Sequence, residues 1–141
     1  MAITRADKIT ETLYVQQTFS DFTNDLTVHP ITNQLIVLKN ADAVKQALKN
    51  LILTSLGEKP FTPLFGSNIN KSLFELFDPF FVEDVKRYVT LAVNQYEPRV
   101  NLISVDVSQD RTETAVTINI VFSLINTTQP LSISIYVKRV R

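Results

Sequence analysis

Five residues, Tyr96-Glu97-Pro98-Arg99-Val100, divide this chain into two periodicities. Upstream, the long apolar patterns have helical spacing; downstream, apolar residues alternate with period two. Pro98 has no N–H to give and its ring drives Glu97 out of the α region, so a helix entering this point stops by Gln95 or Tyr96. The same turn sets a carboxylate and a guanidinium on either side of a stiff residue. They could pair with each other, cap the helix end, or meet another chain, and the local sequence does not choose.

Downstream of the hinge, three segments each carry one apolar face. Ile103, Val105 and Val107 alternate with Ser104, Asp106 and Ser108. Val116, Ile118, Ile120, Phe122 and Leu124 form the second set, and Leu131, Ile133, Ile135 and Val137 the third. The links, Gln109 to Thr114 and Asn126 to Pro130, are short and polar, so antiparallel neighbours are expected.

Upstream, Leu35 to Lys39 reads as a strand, and Asn40 is placed to cap a helix with Asp42 in its first turn. Val44, Ala47, Leu48, Leu51, Ile52 and Ser55 fall on one helical stripe, and Gly57 stands where a helix commonly ends. A short helix is expected from about Asn68 to Phe77, with Ile69, Leu73, Leu76 and Phe77 on one side. Asp78-Pro79 ends it and starts another, from about Phe80 to Gln95, with Val85, Val89, Ala92, Val93 and Tyr96 at helical spacing. The expected fold class is α+β: a single domain with helices packed on one face of a small, mostly antiparallel sheet. Residues 1–18 fit neither period and read as an N-terminal arm, leaving 19–141 as the domain. Ser20 to Pro30 reads as a loop or weak strand.

Fourteen basic and fourteen acidic residues cancel, which removes the broad positive field of a nucleic-acid binder. Cysteine is absent, so thiolate chemistry and cysteine metal sites are excluded. No apolar run approaches the roughly 20 residues of a membrane span, and the start lacks a secretory apolar region, so a soluble protein with no membrane partner is expected. At 141 residues one real core is affordable.

Catalytic candidates are sparse. Glu58 and Glu97 are the best pair for a glycosidase, since both sit at loop junctions where two carboxylates could flank a sugar. The bland account, that they cap helix ends or pair with Lys59 and Arg99, carries more weight. His29, the only histidine, reads as a turn residue beside Pro30. No cofactor or metal site is apparent. Between Gly57 and Gly66, the aromatics Phe61 and Phe65 and the aliphatic Leu64 either cover a core edge or form a partner surface. A three-stranded sheet also has two edges onto which another chain can add a strand.

His29-Pro30-Ile31-Thr32, Asn40 to Leu51, Gly57-Glu58-Lys59-Pro60-Phe61-Thr62-Pro63-Leu64-Phe65-Gly66-Ser67, Leu73-Phe74-Glu75 and Tyr96-Glu97-Pro98-Arg99-Val100 together resemble the motif series of the baseplate wedge family of contractile phage tails, whose relatives occur in type VI secretion baseplates. The resemblance spans about residues 19 to 126. Lys59 departs from it, standing where the family usually has arginine, which keeps charge but loses two-point geometry. The arm at 1–18 is longer than usual.

The resemblance implies a fold like the interlocking domain of tail-sheath subunits and a structural, non-enzymatic role in the virion, assembled in the host cytoplasm. It implies docking into the wedge core through Glu97, Pro98 and Arg99, and a platform for the first sheath ring. The implied partners are other wedge proteins, sheath subunits, and the tail tube or hub. The expected contact residues are these three, which the resemblance carries, with Lys59, Phe61 and Phe65 of the loop and Tyr136, Lys138, Arg139 and Arg141 at the end of the last strand, whose positive charges either protect the edge or guide an acidic partner. Some family members have been labelled lysozymes, so a baseplate-associated peptidoglycan hydrolase is the alternative. On the docking reading, Arg99→Ala leaves the isolated fold largely intact and weakens wedge assembly.

Overall fold

The computed structural model describes residues 19–74, 80–109 and 115–138. Along the chain these form β1 (Ser20–Phe22), β2 (Val37–Lys39), α1 (Ala41–Leu53), α2 (Ile69–Ser72), α3 (Phe81–Tyr96), β3 (Val100–Gln109), β4 (Ala115–Leu124) and β5 (Pro130–Lys138). The arm at 1–18 lies outside the described residues.

The three alternating segments pair antiparallel in the order β3-β4-β5, so β4 is central. Its inward set, Val116, Ile118, Ile120, Phe122 and Leu124, is buried, and Ile135 and Val137 of β5 join it. Fully burying each such side chain contributes about 1.5–3 kcal/mol. The opposite face carries Thr117, Asn119, Ser132 and Ser134, and Ser134 Oγ donates to Asn119 Oδ1 at 2.5 Å. Only one face therefore needs covering, and α1 and α3 cover it. Val44, Leu48 and Ile52 of α1 meet Phe81, Val85, Val89 and Val93 of α3 in a single cluster with the sheet. The predicted α+β class and both helical stripes are what the structure shows. α3 lies along β3 and α1 reaches β5.

The hinge acts as the proline requires. α3 ends at Tyr96, Glu97 leaves the helical region at φ −126° and ψ 74°, and β3 begins at Val100. Glu97 N–H still donates to Val93 O (2.9 Å), and Val100 N–H donates to Glu97 O (3.2 Å), so both backbone groups of the break are satisfied.

Several boundaries differ from expectation. Asn40 occupies the N-cap position at φ +48° but makes no side-chain cap; its Oδ1 instead accepts from Phe19 N–H at 3.3 Å, holding the start of β1. α1 stops at Leu53, short of Gly57. Thr54 turns extended and gives both its N–H and its hydroxyl to Asn50 O (3.0 and 2.7 Å), while Ser55 forms a parallel bridge with Ser67. α2 is a single turn; Ile69 and Leu73 are buried as expected, whereas Leu76, Phe77 and the Asp78-Pro79 cap fall outside the described residues. β3 begins earlier than its alternation suggests and changes register between Leu102 and Ser104. Ile103 is the extra residue of this bulge, so it points outward at 58 % exposure, and half-buried Leu102 packs against the core instead.

Candidate partner-binding surface

At the hinge the two charges pair with each other. Glu97 is 5 % exposed, and Arg99 donates to it through Nε (2.5 Å to Oε1) and a terminal nitrogen (2.7 Å to Oε2). This two-point geometry is what makes a partly buried arginine pair strong. The guanidinium also lies 5.4 Å from the centre of the Phe19 ring, tying the hinge to the strand that opens the domain. The Arg99 pKa is raised above its ordinary value, chiefly by the hydrogen bond to Glu97, then against partial burial by the charges of Glu97 and Asp21. Arg99 O accepts from Ile125 N–H (3.1 Å), which fastens the hinge to the turn after β4. Pairing of Glu97 with Arg99 is one of the alternatives that the sequence leaves open, whereas the contacts with Phe19 and Ile125 come only from the tertiary fold. Pro98 is exposed at the apex, and the Arg99 side chain keeps 35 % of its surface.

The 57–66 loop meets the hinge through Tyr96. Lys59 Nζ sits 4.1 Å from the Phe65 ring centre, Phe65 stands edge-on to Tyr96 at 5.1 Å, and Tyr96 Oη donates to Leu64 O at 2.6 Å. Gly66, at φ +115°, runs so close to α1 that a Cβ would lie 2.4 Å from Thr54 O. Phe61 and Leu64 do not cover the core. Phe61 is wholly exposed and held at φ +64°, a region that bulky residues rarely occupy. An outward aromatic at a strained loop tip adds nothing to the core. It is available to another surface.

Tyr136 and Lys138 lie at the far edge of the sheet, exposed on β5. Arg139 and Arg141 fall outside the described residues. The expected contact residues thus form two groups: Lys59, Phe61 and Phe65 with Glu97, Pro98 and Arg99 at the α3–β3 corner, and Tyr136 with Lys138 at β5. Nine consecutive pairs, Ala115↔Lys138 to Ser123↔Pro130, join β5 to β4 without a break. Among the described residues no strand pairs with the outer side of β5.

A third region was not read from sequence as a site. β1 and β2 pair antiparallel and the hairpin continues to a bridge between Val28 and Leu35. It fastens to α1 through amides: Gln46 Nε2 donates to Phe22 O (2.6 Å), and Asn24 and Asn50 exchange side-chain bonds at 2.8 and 2.9 Å. Phe22, Leu26, Val28, Ile31 and Val37 consequently remain exposed. The signal was a stretch rich in apolar residues and amides with few charges. His29 is a turn residue as expected, its Nδ1 accepting from Ile31 and Thr32 N–H groups at 3.3 and 3.4 Å. Between this hairpin, α1 and β5 lies a groove of about 360 Å³, lined by Thr23, Asn24, Asp25, Lys45, Gln46, Lys49 and Ile133.

Glu58 Oε2 accepts from Ser55 N–H (2.8 Å) and the Glu97 carboxylate is held by the Arg99 side chain, so both carboxylates are engaged in local structural bonds. The described residues contain no group of three acidic or histidine side chains placed to hold a metal, and no helix among them is long and apolar enough to cross a membrane.

Residues 39–129 match the family described as "baseplate wedge protein gp25". The protein of that name from Enterobacteria phage T4 is 33% identical over 84 residues, 60% of this chain, and the match spans 64% of that relative's length. Two solved structures share the fold. A protein from Geobacter sulfurreducens, provisionally described as a tail lysozyme, superposes with a TM-score of 0.67 at 22% identity, covering 75% of this chain and 97% of that one. A chain of the anti-feeding prophage baseplate superposes at 0.61 with 17% identity, covering 84% of both.

Proposed function

Because this chain belongs to the baseplate wedge protein gp25 family, we propose that it is a structural component of a contractile-tail baseplate wedge. It seats in the wedge by the corner that carries Pro98, Arg99 and Phe61, and it receives strands of the sheath along β5. Other wedge proteins occupy the first surface and sheath subunits the second. The first sheath ring takes its register from this edge, because a one-residue slip would turn every added side chain to the wrong face.

The observation that carries the reading is the unbroken ladder of β5. A regular edge of nine residues, with its apolar side continuous with the core, supplies backbone donors and acceptors at strand spacing. β3 lacks this regularity, since its bulge at Ile103 interrupts any ladder built on it. The hydrolase alternative has less support: Glu58 and Glu97 are both engaged in structural bonds. Likeness to the Geobacter protein extends to fold alone.

A proline scan through Ser132–Tyr136 tests the proposal. Backbone N–H groups alternate along β5 between β4 and the open side, so prolines unfold the domain at one parity and spare it at the other. The fold-sparing prolines should abolish co-assembly with sheath subunits. Normal assembly of those same variants overturns the proposal.

A further inference from the structure

We propose that the segment received at β5 is acidic on its helix-facing side, and that Lys45 and Lys49 select it; this deepens the strand-addition reading and rests on it. Lys45 and Lys49 are one turn apart on α1, so they project from the same side of the helix. Both line the groove that opens between α1, the hairpin and Ile133 of β5. The ion pairs among the described residues are Lys86–Glu83, Arg87–Asp84 and Arg99–Glu97. Neither Lys45 nor Lys49 takes part in one, although Asp25 borders the same groove.

The geometry ties this charge to the strand site. A strand added to β5 lies about 4.8 Å from it, and alternate side chains point to the helical layer. Ile133 is one of the β5 residues on that side, so a neighbour of Ile133 on the added strand enters the groove beside the two lysines. Lys138, at the end of β5, shares the outward parity of Ser132 and Ser134 and takes no part in this selection. Two like charges at this helical spacing repel each other, and a carboxylate between them turns that repulsion into attraction. The plain alternative is that the lysines solvate a helix face and discourage unwanted pairing. Lys45 is half-buried and Lys49 exposed, and their place beside Ile133, on the line that an added strand would follow, favours selection.

The test uses the full chain with peptides of about ten residues, the length of a strand, alternating valine with glutamate, glutamine or lysine. Backbone amide shifts locate binding and titration gives affinity. The glutamate peptide should shift amides of β5 and bind about fivefold more tightly than the glutamine peptide at low salt, with the lysine peptide weakest. The preference should vanish in Lys45→Gln/Lys49→Gln, whose melting temperature stays unchanged, and shrink at high salt. Equal binding of the three peptides at β5 would leave strand addition standing and overturn charge selection. An absence of β5 shifts with every peptide would overturn both.

Discussion

Arg99→Ala removes the only ion-pair partner that the described residues give Glu97, and leaves that carboxylate at a position 5 % exposed. Breaking a buried pair from one side costs about 3–5 kcal/mol, because the remaining charge has no compensation. Arg99 itself is 35 % exposed, so water can reach the vacated space. That screening lowers the expected cost to about 2–3 kcal/mol. Loss of the contact with Phe19 adds about 0.5 kcal/mol. For a domain of this size each kcal/mol moves the melting temperature by about 3–4 °C, so Arg99→Ala should melt about 8–14 °C lower. Urea unfolding should show the midpoint falling with an unchanged slope. Glu97→Gln/Arg99→Ala should recover part of the loss, since the double variant buries no lone charge. Arg99→Lys should fall between, keeping charge without the two-point fork. Because the Arg99 pKa is raised in the folded chain, its contribution is complete below the unfolded value and is lost only as pH rises through the folded one. The Arg99→Ala deficit should accordingly be the same at neutral and mildly alkaline pH. A deficit below about 0.5 kcal/mol, with strictly additive single variants, would refute the claim that this pair holds the hinge.

Other substitutions probe the remaining parts. Gly66→Ala should cost about 2 kcal/mol or more, because φ +115° and the approach to Thr54 O both oppose a Cβ, whereas Gly57→Ala, at φ +85° with open space around it, should cost about 1 kcal/mol; chemical denaturation separates them. Phe61→Gly should raise stability by about 1 kcal/mol by relieving a left-handed backbone, yet weaken co-purification with wedge proteins. Ile118→Asp places an unpaired charge at a fully buried position and should leave no cooperative melting transition.

The parts of the fold that were legible in sequence are those where one physical rule acts alone. Pro98 cannot continue a helix, and α3 ends two residues before it. β4 is covered on one face only, and its alternation survives from Val116 to Leu124. Misreadings came where a tertiary contact overrides a local preference. Asn40 has the chemistry of a cap, but Phe19 N–H takes its side-chain oxygen. Gly57 has the freedom to end a helix, but the bridge between Ser55 and Ser67 ends α1 first. Alternation placed Ile103 inward, and a one-residue bulge reversed it.

The surfaces follow the same division. That Glu97 and Arg99 sit close together was readable from spacing, whereas the burial of Glu97 and the presence of Phe19 beside Arg99 depend on the tertiary fold. Aromatics in a loop ordinarily cover a core edge; here Phe65 is half-buried edge-on to Tyr96, and Phe61 is wholly exposed. In the hairpin, Ser20 to Pro30 reads as a loop or weak strand on its turn formers and Leu35 to Lys39 as a strand, and neither reading says which way Phe22, Leu26 and Val37 face. Only its polar attachment to Gln46 and Asn50 explains why they face outward.

The most direct measurement is a high-resolution map of the assembled baseplate that shows what lies beside Pro130–Lys138. A strand from another polypeptide, hydrogen-bonded along that edge with an acidic side chain near Lys45 and Lys49, is the expected result. Finding the edge occupied by this chain's own residues 1–18, with the sheath seated elsewhere, would contradict it.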